Sequence, residues 1–278
     1  MSGPNRHIGA GVQLSFWARI NTSGYMIGPT GATANGSSEG MRQILGIKTA
    51  NPGPVEPEAV DITGDDTVLG AIDFGPNASP QFTMEVAAFD LDTQSKLQST
   101  LVETLGDVRL SPLQPANPEY VDIMLIIQGK SKSKDTATDG TKSWMGYFIP
   151  VASAVPLGRA EFNERTPAAD RFKVTVQTAS RKPWGVTILD AVLGTTGAPM
   201  LAFTSDNPLN MHYLVGNGAI TTIVLDRTPV SLAKLVVHRG NGQLLVATTD
   251  YTLSGSTITL VAAPTAGQMV EVLYEFSA

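Results

Sequence analysis

Hydrophobic and polar positions alternate along Gln81–Ala88, where Phe82, Met84, Val86 and Ala88 share one side and Thr83 and Glu85 the other. A period of two is that of a strand with one face buried. The stretch "RFKVTVQT" repeats it, with Phe172, Val174 and Val176 inward and Arg171, Lys173, Thr175 and Gln177 outward. A turn at "SRKPWG" and the apolar run "VTILDAVL" follow, so a second hairpin is expected there. Two further runs, Tyr120 to Gln128 ("YVDIMLIIQ") and Trp144 to Val151 ("WMGYFIPV"), are apolar on both sides, as strands covered on both faces are. The period changes once. In "FDLDTQSKLQSTLVETLGD" Leu97, Leu101 and Leu105 recur every four residues, Asp92 stands where an N-cap belongs, and Gly106 where a left-handed residue ends a helix. One helix, lying along the outside of a sheet, is expected over 92–105.

Residues 20–65 are rich in Gly, Pro, Asn, Ser and Thr, a composition of loops with short strands between them, and Met41–Asp65 takes no definite element. The stretch "FTSDNPLNMH" (Phe203 to His212) sets Asp206, Asn207 and Pro208 in a row and is the expected boundary between two domains, 1–207 and 208–278. Beyond it, short strands follow closely: "AITTIVL", "KLVVH", "QLLVAT", "DYTLS", "STITLV" and "MVEVLYEF", separated by turns such as "RGNG" and "APTAG". That spacing indicates a small β-sandwich. In its last strand Val270, Val272, Tyr274 and Phe276 face one way and Glu271 and Glu275 the other, so that one sheet face is expected to be wet.

Composition narrows the function. Hydrophobic content of 42% with 16% charged residues suits a folded chain rather than a disordered one. No apolar run is long enough for a membrane span, and the first residues lack the order of a secretory signal, so a soluble protein made in a cytoplasm is expected. With no cysteine, disulfides, thiolate metal sites and cysteine nucleophiles are excluded. A net charge of −6 repels nucleic acid, whose binding needs clustered Lys and Arg. Only three basic and four acidic groups fall after residue 207, so the tail segment is nearly uncharged.

Candidate chemistry is thin. "GSSEG" (Gly36 to Gly40) fits the G-x-S-x-G pattern of a nucleophilic serine at Ser38, yet "PTGATAN" before it is not the buried strand that such an elbow needs. The histidines downstream are His212 and His238, the latter in a strand of the second domain, and no base is expected to be held against Ser38. A polar loop is the expectation. His7, His212 and His238 are too scattered for zinc, and Asp61, Asp65 and Asp66 lack the spacing of a calcium loop, so neither a metal nor a cofactor is expected.

The chemistry-poor chain nevertheless carries a long hydrophilic arm between its two most apolar strands, formed by Gly129, Lys130, Ser131, Lys132, Ser133, Lys134, Asp135, Thr136, Asp139, Lys142 and the residues among them. Hairpin loops usually hold two to five residues. An arm of this length is entropically costly unless a neighbour orders it, and its Lys and Asp residues would set register by complementary charge. Trp144 is expected to anchor its base.

The order of an alternating strand ("QFTMEVAAFD"), one helix ("DTQSKLQSTLVETL"), a long-armed hairpin ("YVDIMLIIQGKSKSKDTATDGTKSWMGYFIPV") and paired strands ("RFKVTVQT", "WGVTILDAV") resembles the major tail tube proteins of long-tailed bacteriophages over roughly residues 10–200. The resemblance implies a mainly β chain: an antiparallel β-sandwich or barrel with one flanking α-helix and a long hairpin arm. It also implies six subunits closing a ring by edge pairing, and rings stacking into a tube through which DNA passes without specific binding. The arm would then reach the adjoining ring, and other tail proteins, such as a tape measure and a tail terminator, would be partners. Segment 208–278 resembles the immunoglobulin-like decoration domains of such tails, with weak cell-surface contact as a role. On this reading the protein is not an enzyme, and it resides in the virion after synthesis in the host bacterial cytoplasm. The alternative is a capsid decoration or glycan-binding receptor protein, which would need exposed aromatics among Tyr213, Tyr251 and Tyr274.

Overall fold

A computed structural model describes residues 12–21, 26–27, 34–50, 59–64, 67–73, 81–86, 103–110, 122–130, 143–159, 170–177, 200–240 and 243–277. In chain order, β1 (Leu14–Ile20), β2 (Met26–Ile27), β3 (Ser38–Gly40), β4 (Arg42–Gln43) and β5 (Ile47–Ala50) come first. A hairpin of β6 (Ala59–Gly64) and β7 (Thr67–Asp73) precedes β8 (Gln81–Val86); a tighter one of β9 (Glu103–Leu105) and β10 (Val108–Leu110) follows. Then come the long strands β11 (Asp122–Lys130) and β12 (Trp144–Arg159), with β13 (Asp170–Val176) and β14 (Leu201–Ser205). Seven strands complete the chain: β15 (Leu209–Val215), β16 (Thr222–Val224), β17 (Leu235–Arg239), β18 (Gln243–Leu244), β19 (Tyr251–Ser254), β20 (Thr257–Leu260) and β21 (Met269–Glu275). Among the described residues there is no α-helix, only a 3-10 turn at Leu232–Lys234.

Nine strands form the main sheet in the order β2-β1-β11-β12-β13-β8-β5, with β4 also on β1 and β14 on β12. Its interstrand pairs are antiparallel. Both register shifts along β12 lie beside a proline: one where Pro150 and Val151 oppose a single residue of β11, the other just after Pro156. Proline has no N–H for the ladder, so the strand bulges there instead of ending. A second sheet runs β18-β17-β21-β15-β3, and a third β16-β20-β19.

Alternation sorts the side chains into two apolar clusters. Along β1, Phe16, Ala18 and Ile20 join one and Trp17 the other; along β11, Met124 and Ile126 oppose Ile123, Leu125 and Ile127. The strands read as covered on both faces are so, and Phe82, Met84, Val86, Phe172, Val174 and Val176 are buried on the expected sides.

Several expectations change. The helix expected over 92–105 lies outside the described residues as far as 102, and its last turn, Glu103–Leu105, is strand β9. Gly106 does adopt a left-handed φ of +63°, but within the two-residue turn that pairs Leu105 with Val108; a glycine with positive φ serves a tight hairpin as well as a helix end. The hairpin partner expected after β13 falls in 178–199, outside the described residues, and β13 pairs instead with β12 and β8. The breaker at 203–212 shrinks to Asp206–Pro208, because β14 runs up to it and β15 starts just after it. Glu271 is buried rather than wet, since β21 lies between β15 and β17 and its cross-strand neighbours, Tyr213 and His238, are themselves buried.

Packing crosses the expected boundary at 207/208. Strand β3 forms the edge of the second sheet, and the larger apolar cluster unites Phe16, Met124 and Phe148 with Met211, Val272 and Phe276. Gln128, buried in β11, clasps the Leu209 backbone at both ends: its amide donates to the carbonyl and its oxygen accepts the N–H, each at 2.8 Å.

Candidate functional site

The short stretch from Ser37 to Ile44 carries the chain from one sheet to the other. Its first half lies on β15, with Val215 N–H donating to Ser37 O at 2.8 Å and Met41 N–H to Met211 O at 2.9 Å. Its second half lies on β1, with Ile44 N–H donating to Ser15 O at 2.8 Å. Because 37, 39 and 41 occupy the hydrogen-bonded positions opposite β15, Ser38 and Gly40 sit at the intervening, closer-spaced positions, opposite Leu214 and His212. On that face side chains of facing strands approach closely enough to bond.

Ser38 Oγ is 2.7 Å from Nε2 of His212. The imidazole is almost wholly buried, at 2% exposure, and its Nδ1 is 3.7 Å from Oδ2 of Asp226, which follows β16 and is half exposed. At that separation the carboxylate acts on the ring as a charge beside it. The His212 imidazole holds the Asp226 carboxyl below its ordinary value, against the opposing effect of burial, with Arg227 and Arg42 adding smaller favourable fields. Gly40 makes the approach possible: a Cβ there would come within 1.8 Å of Asp226 Oδ2 and 3.0 Å of His212 Nδ1. Nδ1 makes no hydrogen bond, but the Asp226 charge beside it favours the tautomer that carries its proton there, in which the Nε2 lone pair accepts from the Ser38 hydroxyl.

Ser38 and Asp226, though not the buried imidazole between them, line a cavity of about 530 Å³ whose wall also includes Phe16, Arg42, Gln43 and Arg227. Arg227 is fixed by a 2.9 Å bond to Gln43 Oε1 and lies 5.0 Å from the Phe276 ring centre. Nearby, Tyr274 takes a bond from Asn210 Nδ2 at 3.3 Å, and burial pushes the hydroxyls of Tyr213 and Tyr274 well above the usual phenol range.

The histidine expected to stand away from Ser38 is therefore its hydrogen-bond partner. Sequence reasoning missed the pairing because the residues are 174 positions apart; the only local signal was a histidine inside the apolar run "LNMHYLV". His238 is also buried, in β17, while His7 lies outside the described residues. Asp61 belongs to β6, Asp65 and Asp66 lie outside the described residues, and among those described no group of three His, Asp or Glu could hold a metal ion.

The arm is placed in part. Gly129 and Lys130, expected in the loop, are the last residues of β11 and pair with Met145 and Trp144, because the ladder continues two rungs past the apolar run. Trp144 is buried at the foot of the arm, with Lys130 Nζ 6.0 Å from its ring centre. Ser131, Lys132, Ser133, Lys134, Asp135, Thr136, Asp139 and Lys142 lie outside the described residues.

No family model and no curated protein matches the chain. Among the described residues no helix is long and apolar enough to cross a membrane.

Proposed function

We propose that the chain is a structural subunit of a bacteriophage virion that assembles with copies of itself into stacked rings of six, forming the tail tube. The observation that carries this reading is the β11–β12 hairpin. Beyond the bulge at Pro150 its ladder is regular from Leu125–Ile149 to the Lys130–Trp144 rung, and residues 131–143 separate the two strands. A loop several times the usual hairpin length, leaving a buried and firmly paired base, suits an arm that is ordered by a neighbouring copy. The antiparallel main sheet supports the reading too: among the described residues β5 ends it on one side, and exposed edges of this kind are hazards that ring closure removes.

In this assembly the arm contacts the adjoining ring, the net negative charge keeps passing DNA from adhering, and tape-measure and terminator proteins meet the tube at its ends. The strands of 208–278 decorate the outside as an immunoglobulin-like sandwich. A glycan-binding role loses its basis in this segment, because Tyr213, Tyr251 and Tyr274 are all buried.

Replacement of 131–142 by an Asn-Gly turn tests the arm. Sedimentation of this variant should show a folded subunit that no longer polymerises under conditions where the parent chain does. Polymers of unchanged size would overturn the role given to the arm.

A further inference from the structure

We propose that Ser38 is a nucleophile, served by His212 as general base and positioned through Asp226, that reacts with small carboxylic esters in the cavity beside it. Three parts of the chain converge here: the edge strand β3, its neighbour β15 and the turn after β16. They place hydroxyl, imidazole and carboxylate in the order that acyl transfer requires. The burial also fits: the imidazole is buried between two residues, Ser38 and Asp226, that are exposed and half exposed and stand on the cavity wall. A histidine that merely needed satisfying would have no use for a ligand-sized space at its partner's hydroxyl.

The cavity selects its substrate by charge. Arg42 and Arg227 are balanced by Glu39 and Asp226 on the same wall, and the neutral sum favours an uncharged ester. In the acylation step the Ser38 hydroxyl proton passes to His212 Nε2 as the Oγ–C bond forms and the carbonyl electron pair moves onto oxygen. The carbonyl then re-forms, the alkoxide leaves, and it takes that proton from the imidazolium. Water repeats the sequence on the acyl-serine, releasing the carboxylic acid and restoring the hydroxyl. The N–H of Glu39 lies at a ladder position opposite Tyr213 and is not available to the oxyanion. Gly40, whose N–H is not used by the β15 ladder, lines the cavity together with Arg42 and Arg227, and these supply the positive groups at hand.

The test is phosphonylation of the full chain by a fluorophosphonate probe, located by peptide mass spectrometry and followed from pH 5 to pH 9. An adduct on Ser38 is expected, absent from Ser38→Ala. Its rate should fall towards acid pH, because a protonated imidazole cannot take up the hydroxyl proton. Asp226→Asn, at a half-exposed position, should slow labelling at least about tenfold and shift that pH profile at a temperature where the variant is folded. No adduct on Ser38, or one whose rate is flat with pH and unchanged in Asp226→Asn, would overturn the proposal and leave Ser38–His212–Asp226 as a polar clasp holding β3 to β15. Labelling is read on single subunits or polymers alike, so it stands apart from the assembly test.

Discussion

Strand β1 sends Phe16, Ala18 and Ile20 into one apolar cluster and Trp17 into the other, and the two clusters differ in what lies beside them. The Trp17 cluster is built almost wholly from strands of the main sheet, with Ile44 just past β4, and the buried Ser15 stands beside it opposite Ile127. The Phe16 cluster joins the main, second and third sheets, and buried polar groups stand beside it: Gln128 of the main sheet on the Leu209 backbone of the second, Asn210 on Tyr274 within the second, and His212 between Ser38 of its own sheet and Asp226, which follows a strand of the third. Within one sheet the ladder already fixes the register of every side chain, so dispersion and burial suffice. Between sheets no ladder sets the register, and directional bonds such as that of Gln128 to Leu209 supply it, together with the segment Ser37–Ile44 that passes from one sheet to the other.

The contrast can be broken in order of size. Trp17→Ala should cost roughly 3–5 kcal/mol, read from the urea midpoint, because a fully buried indole leaves a cavity that a ladder on both sides prevents from collapsing. Gln128→Leu keeps the volume but strands the N–H and C=O of Leu209, so a loss of about 1–3 kcal/mol is expected; a neutral result would show that the clasp does not hold the seam. Gly40→Ala should push the Asp226 carboxylate off His212 at a cost of about 1 kcal/mol or less, since the displaced group is half solvated, and the Asp226 carboxyl should return towards its ordinary pKa by NMR titration.

The pH dependence sharpens the same point. Asp226 has a folded pKa below its ordinary 3.8, so its contribution is present above that value and disappears as pH falls through the folded pKa. Asp226→Asn should therefore lower the melting temperature at pH 7 and leave it unchanged near the acid end of the titration. The smallest effect belongs to Lys234, whose ammonium bonds Asp206 at 2.7 Å and Glu275 at 3.2 Å on the surface. Lys234→Met should shift the melting point slightly in low salt and not at all in high salt.

The same contrast decides what the sequence reveals. Phe82, Met84, Val86 and Phe172, Val174, Val176 were legible because a half-buried strand writes its environment into a period of two. The short strands after residue 218 were legible from their turns. At 103–106 the four-residue spacing of Leu97, Leu101 and Leu105 argued for a helix, and the left-handed Gly106 it called for is present in a hairpin instead. Strand β15 was hidden by Asp206–Pro208, whose breaking power extends over three residues only. The Ser38 site was illegible for a deeper reason: it depends on one short segment leaving β15 for β1, a tertiary event that neither periodicity nor motif spacing records.

Negative-stain electron microscopy of the purified chain at high concentration tests the central claim most directly. Rings or tubes of uniform diameter are the expected result, from a protein that works by joining copies of itself at strand edges and arms. A field of discrete single subunits at every concentration would contradict it.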